Sequence, residues 1–180
     1  MEVIETKIKG LLIIKPKVFA DARGYFFESY NADLFKQNGI LVNFVQDNQS
    51  LSNTGVLRGL HFQAPPFEQG KLVRVITGAV LDVAVDIRKD SPTYGEHVTI
   101  ELTEENKAMF YIPPGFAHGF LTLRDNTIFS YKCTNVYNKT SEGTVLWNDT
   151  NLNINWDVSN PILSEKDLTG TRFKEFNSPF

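Results

Sequence analysis

Apolar and polar residues alternate with a period of two along much of the chain, the pattern of strands that turn one face to a core. It is plainest in Val80 to Ile87, where Leu81, Val83, Val85 and Ile87 share one face and Asp82, Ala84 and Asp86 share the other. The acidic face goes either to solvent or to the polar lumen of a barrel, and alternation alone does not choose between them. In His97 to Leu102, His97 shares a face with Thr99 and Glu101 opposite Val98, Ile100 and Leu102, so that histidine is expected to be exposed. Thr127 to Cys133 also alternates. It sets Phe129, Tyr131 and Cys133 on an inward face, where the Tyr131 hydroxyl needs a partner. Leu11 to Phe19 is a strand candidate broken by Pro16, which favours an edge position.

Other elements follow from turn and capping chemistry. Asp21 to Gly24 forms a turn, and Asn31 to Gly39 a short peripheral helix with Asn as N-cap and Gly as its stop. Ser164 to Gly170 matches a capping box and one helical turn, which gives Asp167 a purely structural reading. Between these, strands recur at intervals of about ten residues, a rhythm that predicts a sandwich or barrel. Turn signals stand at Asn53-Thr-Gly55, Thr77-Gly78, Ser91 to Gly95 and Pro113-Pro-Gly115. The loop from Ala64 to Gly70 joins two strand-like runs, so His61 and Lys71 are expected on neighbouring strands, either facing one cavity or solvated along a long hairpin.

A chain of 180 residues fits one domain, 1–180, and needs no disulfide or metal to stabilise it. Hydrophobic residues at 42% with 12% aromatic exclude disorder, and no apolar run approaches the ~20 residues of a membrane helix. The start of the chain has no secretory pattern and the single cysteine, Cys133, forbids an internal disulfide. Both point to the cytoplasm. A net charge of -3 without a basic block argues against nucleic acid as a partner.

The candidate chemistry is narrow. Three histidines, at 61, 97 and 118, contain no His-x-His pair, which argues against a transition-metal site. Nucleophilic catalysis through Cys133 is poorly supported, and neither a nucleophile elbow nor a phosphate loop is present. General acid–base work remains, with His61 as a base of near-neutral pKa and Lys71 as a partner for a developing oxyanion.

Phe44-Val-Gln-Asp-Asn48, Val56-Leu-Arg-Gly-Leu-His61-Phe-Gln, Gln69-Gly-Lys-Leu-Val73, Asp82 to Arg88, Ser91-Pro-Thr, Pro114 to Phe120 and Leu146-Trp-Asn-Asp149 stand in order along the chain. Together they resemble the motifs of the dTDP-4-dehydrorhamnose 3,5-epimerase family, from about residue 4 to residue 170. The resemblance implies an all-β, cupin-type double-stranded β-helix (a jelly-roll barrel) with a few short peripheral helices. It also implies a homodimer working without metal or cofactor on a dTDP-linked 4-keto-6-deoxy sugar.

By the same resemblance His61 is the base, Lys71 stabilises the enolate, Tyr131 returns the proton and Asp167 orients His61. Arg23, Arg58 and Lys166 match diphosphate-contacting positions. Glu28, Gln46, Asp47, Asn48, His118 and Glu142 match other substrate contacts, with Phe26 and Tyr137 as platforms for the base. Arg58 and His61 are three apart, which a regular strand would place on opposite faces; a bulge at Gly59 would reconcile them. Enzymes of similar sequence invert only C3 or only C5, or use other nucleotide sugars. A sugar-nucleotide-binding cupin without activity is the remaining alternative.

Overall fold

A computed structural model describes residues 1–180. Two antiparallel sheets face each other as the walls of the expected double-stranded β-helix. The six-stranded sheet runs β1 (Glu2–Glu5), β2 (Leu12–Lys15), β10 (Met109–Ile112), β7 (Lys71–Thr77), β12 (Thr127–Cys133), β5 (Gln46–Ser52). The five-stranded sheet runs β13 (Glu142–Thr144), β6 (Leu57–Gln63), β11 (Phe116–Thr122), β8 (Ala79–Asp86), β9 (His97–Thr103). A hairpin of β3 (Phe19–Asp21) and β4 (Gly24–Phe26) pairs only with itself.

Alternation along the strands sorts side chains into three apolar clusters. Between the sheets lie Val73, Val75, Val80, Ala84, Phe110, Phe120 and Phe129. On the outer side of the five-stranded sheet, Val83, Val85 and Ile87 meet Val145, Leu152 and Trp156 of the C-terminal region. Helix α1 (Ala32–Gln37) lays Phe35 on Leu72, Met109 and Tyr111 outside the six-stranded sheet. Its Asn31 caps the backbone N–H groups of Asp33 and Leu34, and Gly39 follows with φ +80°, as the sequence predicts. No helix is long and apolar enough to cross a membrane.

The structure decides between the two readings of β8. Asp82 and Asp86 are fully buried, and the acidic face is the lumen. The apolar face points away from the barrel and is covered by chain that comes later in the sequence. Three expectations are corrected. First, His61 and Lys71 do not lie on neighbouring strands: β6 and β7 belong to different sheets. The Ala64–Gly70 loop crosses between layers, so the two side chains approach from opposite walls. Second, β2 is flanked by β1 and β10, and Pro16 lies beyond its end, not on an edge. Third, His97 is only half exposed; burial, with Lys7 nearby, lowers its pKa.

Candidate active site

The site begins with an irregularity in β6. His61 pairs with His118 of β11, but Arg58 pairs with Phe120, so β6 carries one extra residue between the two pairs. Gly59 absorbs it at φ +131°, and a Cβ there would lie 2.5 Å from the Gly119 Cα. Only glycine satisfies both conditions. The bulge brings Arg58 and His61 to the same cavity in spite of their odd spacing.

Helix α2 (Glu165–Leu168) supplies the third component. Its capping box forms as expected, with Asp167 Oδ2 accepting from the Ser164 backbone N–H at 3.2 Å and from its hydroxyl. The other oxygen faces β6. Asp167 Oδ1 accepts from the Gly59 N–H at 3.1 Å and from His61 Nε2 at 2.8 Å. One oxygen thus caps the helix while the other hydrogen-bonds His61. Burial alone would raise the Asp167 pKa, but the hydrogen bonds from His61, Ser164 and Gly59 outweigh it and hold the carboxyl at about 2. The carboxylate fixes the tautomer in which Nε2 carries the proton, leaving Nδ1 as a lone-pair acceptor. Burial lowers the His61 pKa more than Asp167 raises it, and Lys166 and Lys71 lower it further. The imidazole is therefore neutral at neutral pH.

Lys71 enters from the opposite wall. Burial lowers its pKa, partly offset by Cys133, Asp82 and Glu142, and no hydrogen bond or ion pair holds its ammonium. Cys133 is the cross-strand partner of Lys71. Its Sγ accepts from Asn48 Nδ2 at 3.6 Å, and burial raises its pKa. Tyr131 points inward with Phe129 and Cys133. Its pKa is raised chiefly by burial, and Arg58 is the cation that opposes the rise. At neutral pH this phenol keeps its proton.

His61, Lys71 and Tyr131 line both lobes of one cleft. A lobe of about 310 Å³ also includes Gln46, Asn48, Tyr137 and Glu142. The other, about 300 Å³, includes Arg58, His118, Lys166 and Asp167, and so carries the positive charge. Glu142 joins the rims, pairing with Lys166 and accepting from the Tyr137 hydroxyl at 3.1 Å. No three His, Cys, Asp or Glu side chains group as a metal ion would require.

Four residues with expected binding roles lie outside this cleft. Arg23 and Phe26 are on the exposed β3–β4 hairpin, where Arg23 pairs with Asp21. Glu28 accepts from Asn31 beside α1, and Asp47 sits on the opposite face of β5 from Gln46 and Asn48, paired with Lys132 at 2.9 Å. Sequence reasoning left the placement of Asp82 open and gave it no role in the site. Asp82 is fully buried and holds His118 Nε2 with both oxygens at 3.0 Å, a second imidazole–carboxylate pair. The alternation of β8 carried the signal, without showing which face was the lumen.

Comparison with known proteins is consistent along nearly the whole chain. A family model described as dTDP-4-dehydrorhamnose 3,5-epimerase matches residues 5–175. The protein of that name from Shigella flexneri is 54% identical over 174 residues, 96% of each chain. The one from Salmonella typhimurium is 56% identical over 169 residues, 93% of this chain and 92% of its own. A crystal structure of dTDP-6-deoxy-D-glucose-3,5-epimerase from Legionella pneumophila, in complex with dTDP-4-keto-L-rhamnose, superposes with TM-score 0.94 at 46% identity. That match covers 98% of this chain and 94% of the other.

Proposed function

The chain belongs to the dTDP-4-dehydrorhamnose 3,5-epimerase family, and we infer that it is an isomerase converting dTDP-4-dehydro-6-deoxy-D-glucose to dTDP-4-dehydro-L-rhamnose, a step towards dTDP-L-rhamnose. One observation carries the residue roles: a neutral imidazole fixed by a carboxylate and an unpaired ammonium meet, from opposite walls, in one cleft with a protonated phenol.

The C4 ketone makes the C–H bonds at C3 and C5 acidic. His61 Nδ1 takes one of these protons, and the electron pair of the broken bond moves through the new C=C to O4, leaving an enolate. Lys71 meets that oxygen with its ammonium, which is available because nothing in the protein binds it. A donor so placed is worth about 2.7–4 kcal/mol to the transition state in other enzymes. Asp167 stabilises the imidazolium formed in the same step. Tyr131 then returns a proton to the opposite face of the carbon, and the phenolate and imidazolium re-equilibrate with solvent. The sequence repeats at the second carbon, and none of its steps calls for a metal or cofactor.

Arg58 and Lys166 suit the diphosphate, and Tyr137 offers a ring face to the base. Arg23, Phe26 and Glu28 fit this scheme through a homodimer in which the hairpin of one copy reaches the cleft of the other. Exposed Phe19, Tyr25 and Phe26, on two strands paired only with each other, support that reading. A buried free Cys133 suits a reducing cytoplasm.

Turnover in deuterated water tests the assignment, with NMR reading product configuration and label. Wild type is expected to carry deuterium at both C3 and C5 of an inverted product. Tyr131→Phe should retain exchange at these carbons with configuration kept, because His61 can return the proton to the face it came from. Full inversion in that variant would give the donor role to water or another group, and inversion at one carbon in wild type would limit the reaction to a single epimerisation.

A further inference from the structure

We propose that Gln63, the last residue of the Leu-His-Phe-Gln stretch, is a positioning residue that fixes the Tyr137 wall of the cleft relative to His61 and so sets nucleotide affinity. This rests on Tyr137 being the platform for the base. Gln63 is only 5% exposed. Its Nε2 donates to the Phe67 carbonyl at 2.6 Å and the Val136 carbonyl at 3.2 Å, and its Oε1 accepts from the Asn138 N–H at 2.8 Å. Val136 and Asn138 are the residues on either side of Tyr137. One side chain therefore clamps the backbone on both flanks of the ring that faces the cleft.

The rest of Tyr137 is held as well. Its N–H donates to Gln46 Oε1 at 2.9 Å and its hydroxyl to Glu142 at 3.1 Å, and Glu142 is the cross-strand partner of Gln63. The two loops are tied further by Gln69 Nε2 to the Asn135 carbonyl at 2.8 Å and Asn135 Nδ2 to the Pro66 carbonyl at 3.2 Å. Gln63 lies two residues after His61 on the same strand, so the base and the platform are joined through one buried side chain with all three of its hydrogen bonds made. Only an uncharged amide fits. It offers two donors to two carbonyls and one acceptor to an N–H, whereas Glu would turn an acceptor on the carbonyls and Leu would leave all three groups unpaired.

Steady-state kinetics with dTDP-4-dehydro-6-deoxy-D-glucose, and calorimetric binding of dTDP alone, test this in Gln63→Leu, Gln63→Glu, Tyr137→Ala and the double variant Gln63→Leu/Tyr137→Ala. Each Gln63 variant should raise KM and the dTDP Kd about tenfold while kcat falls less than about threefold. Tyr137→Ala should raise the same two constants. Adding Gln63→Leu to it should raise them less than about twofold more, because residues acting through one contact are not additive. Unchanged dTDP affinity in the Gln63 variants, beside weakened Tyr137→Ala, would overturn the positioning role and leave the platform standing. So would multiplied effects in the double variant. Unchanged affinity in Tyr137→Ala would remove the platform, and this proposal with it. Should Gln63→Leu fail to fold, Gln63→Glu carries the same readout, with Gln63→Glu/Tyr137→Ala as the double variant.

Discussion

Asp86 and Lys71 are both charged groups brought into the barrel, and their surroundings differ in kind. Asp86, fully buried, accepts from Arg88 Nε at 2.8 Å and Nη2 at 2.7 Å and from the hydroxyls of Ser91 and Thr93, each at 2.6 Å. Burial would raise its pKa, but these bonds outweigh that and hold it at about 2. The Arg88 guanidinium also lies 4.5 Å from the Phe116 ring centroid, which closes the cluster. At Lys71 burial lowers the pKa and no hydrogen bond compensates. A saturated charge is spent on structure. An unsaturated one is free to meet a group that is not part of the protein, which in the proposed mechanism is the oxygen that becomes negative during the reaction.

The largest effect should come from His61→Ala, which removes the proposed base and leaves the Asp86 cluster untouched. Turnover should fall about 10³-fold or more, with circular dichroism and the melting temperature showing a folded protein. Near-normal turnover would move the base elsewhere, and His118, already paired with Asp82, would be the next residue to test. Lys71→Met sharpens the contrast, since it should lower kcat by about 10²–10³-fold and raise the melting temperature. The methionine keeps much of the volume and removes a desolvated charge that has no partner. A melting temperature that falls instead would mean that the ammonium has a stabilising partner in the resting protein.

Asp86→Ala is the mirror experiment. It strands the Arg88 guanidinium and two hydroxyls, so chemical denaturation should show a loss of about 3–5 kcal/mol with kcat nearly intact at temperatures where the variant stays folded. The sign of the pH effect follows from the depressed pKa. The stability that Asp86 contributes is present above the unfolded carboxyl value of about 4 and is lost as pH falls towards 2, so the variant should lack that part of the wild-type acid transition. A proportionate loss of kcat in this variant would tie the cluster to the chemistry.

The smallest expected effect is a displacement of the pH–rate profile. Because burial lowers the His61 pKa, kcat/KM should hold as pH falls through the ordinary imidazole value of about 6.5 and decline only below it. Burial also lowers the Lys71 pKa, so the alkaline limb should lie below the usual lysine value of about 10.4, and it should move in Lys71→Met. An acid limb at or above the ordinary value would mean that Asp167 outweighs burial at His61.

Much of this was legible in the residues. The alternation of β8 and β12 grouped Asp82 with Asp86 and Tyr131 with Cys133, and the Ser164–Asp167 capping box formed where its residues predict it. Even the bulge at Gly59 was readable, because a spacing of three between two inward side chains requires an extra residue in the strand. The motifs also carried the family. What misled was sequence adjacency: a seven-residue loop between His61 and Lys71 suggests a hairpin, and here it crosses from one sheet to the other.

The chain by itself determined its strands, its caps, which side chains share a face and which residue types can move a proton, because these depend on contacts within a few positions. A period of two is unchanged when a strand is turned over. Which face of β8 is the lumen was therefore decided only when residues 145–156 packed against the other side. The pairing of Lys71 with Cys133, the two-sided use of Asp167 and the meeting of His61 with an unpaired cation are likewise tertiary facts. Each joins groups far apart in sequence, and their pKa values come from desolvation and neighbouring charge, which exist only once the barrel has closed.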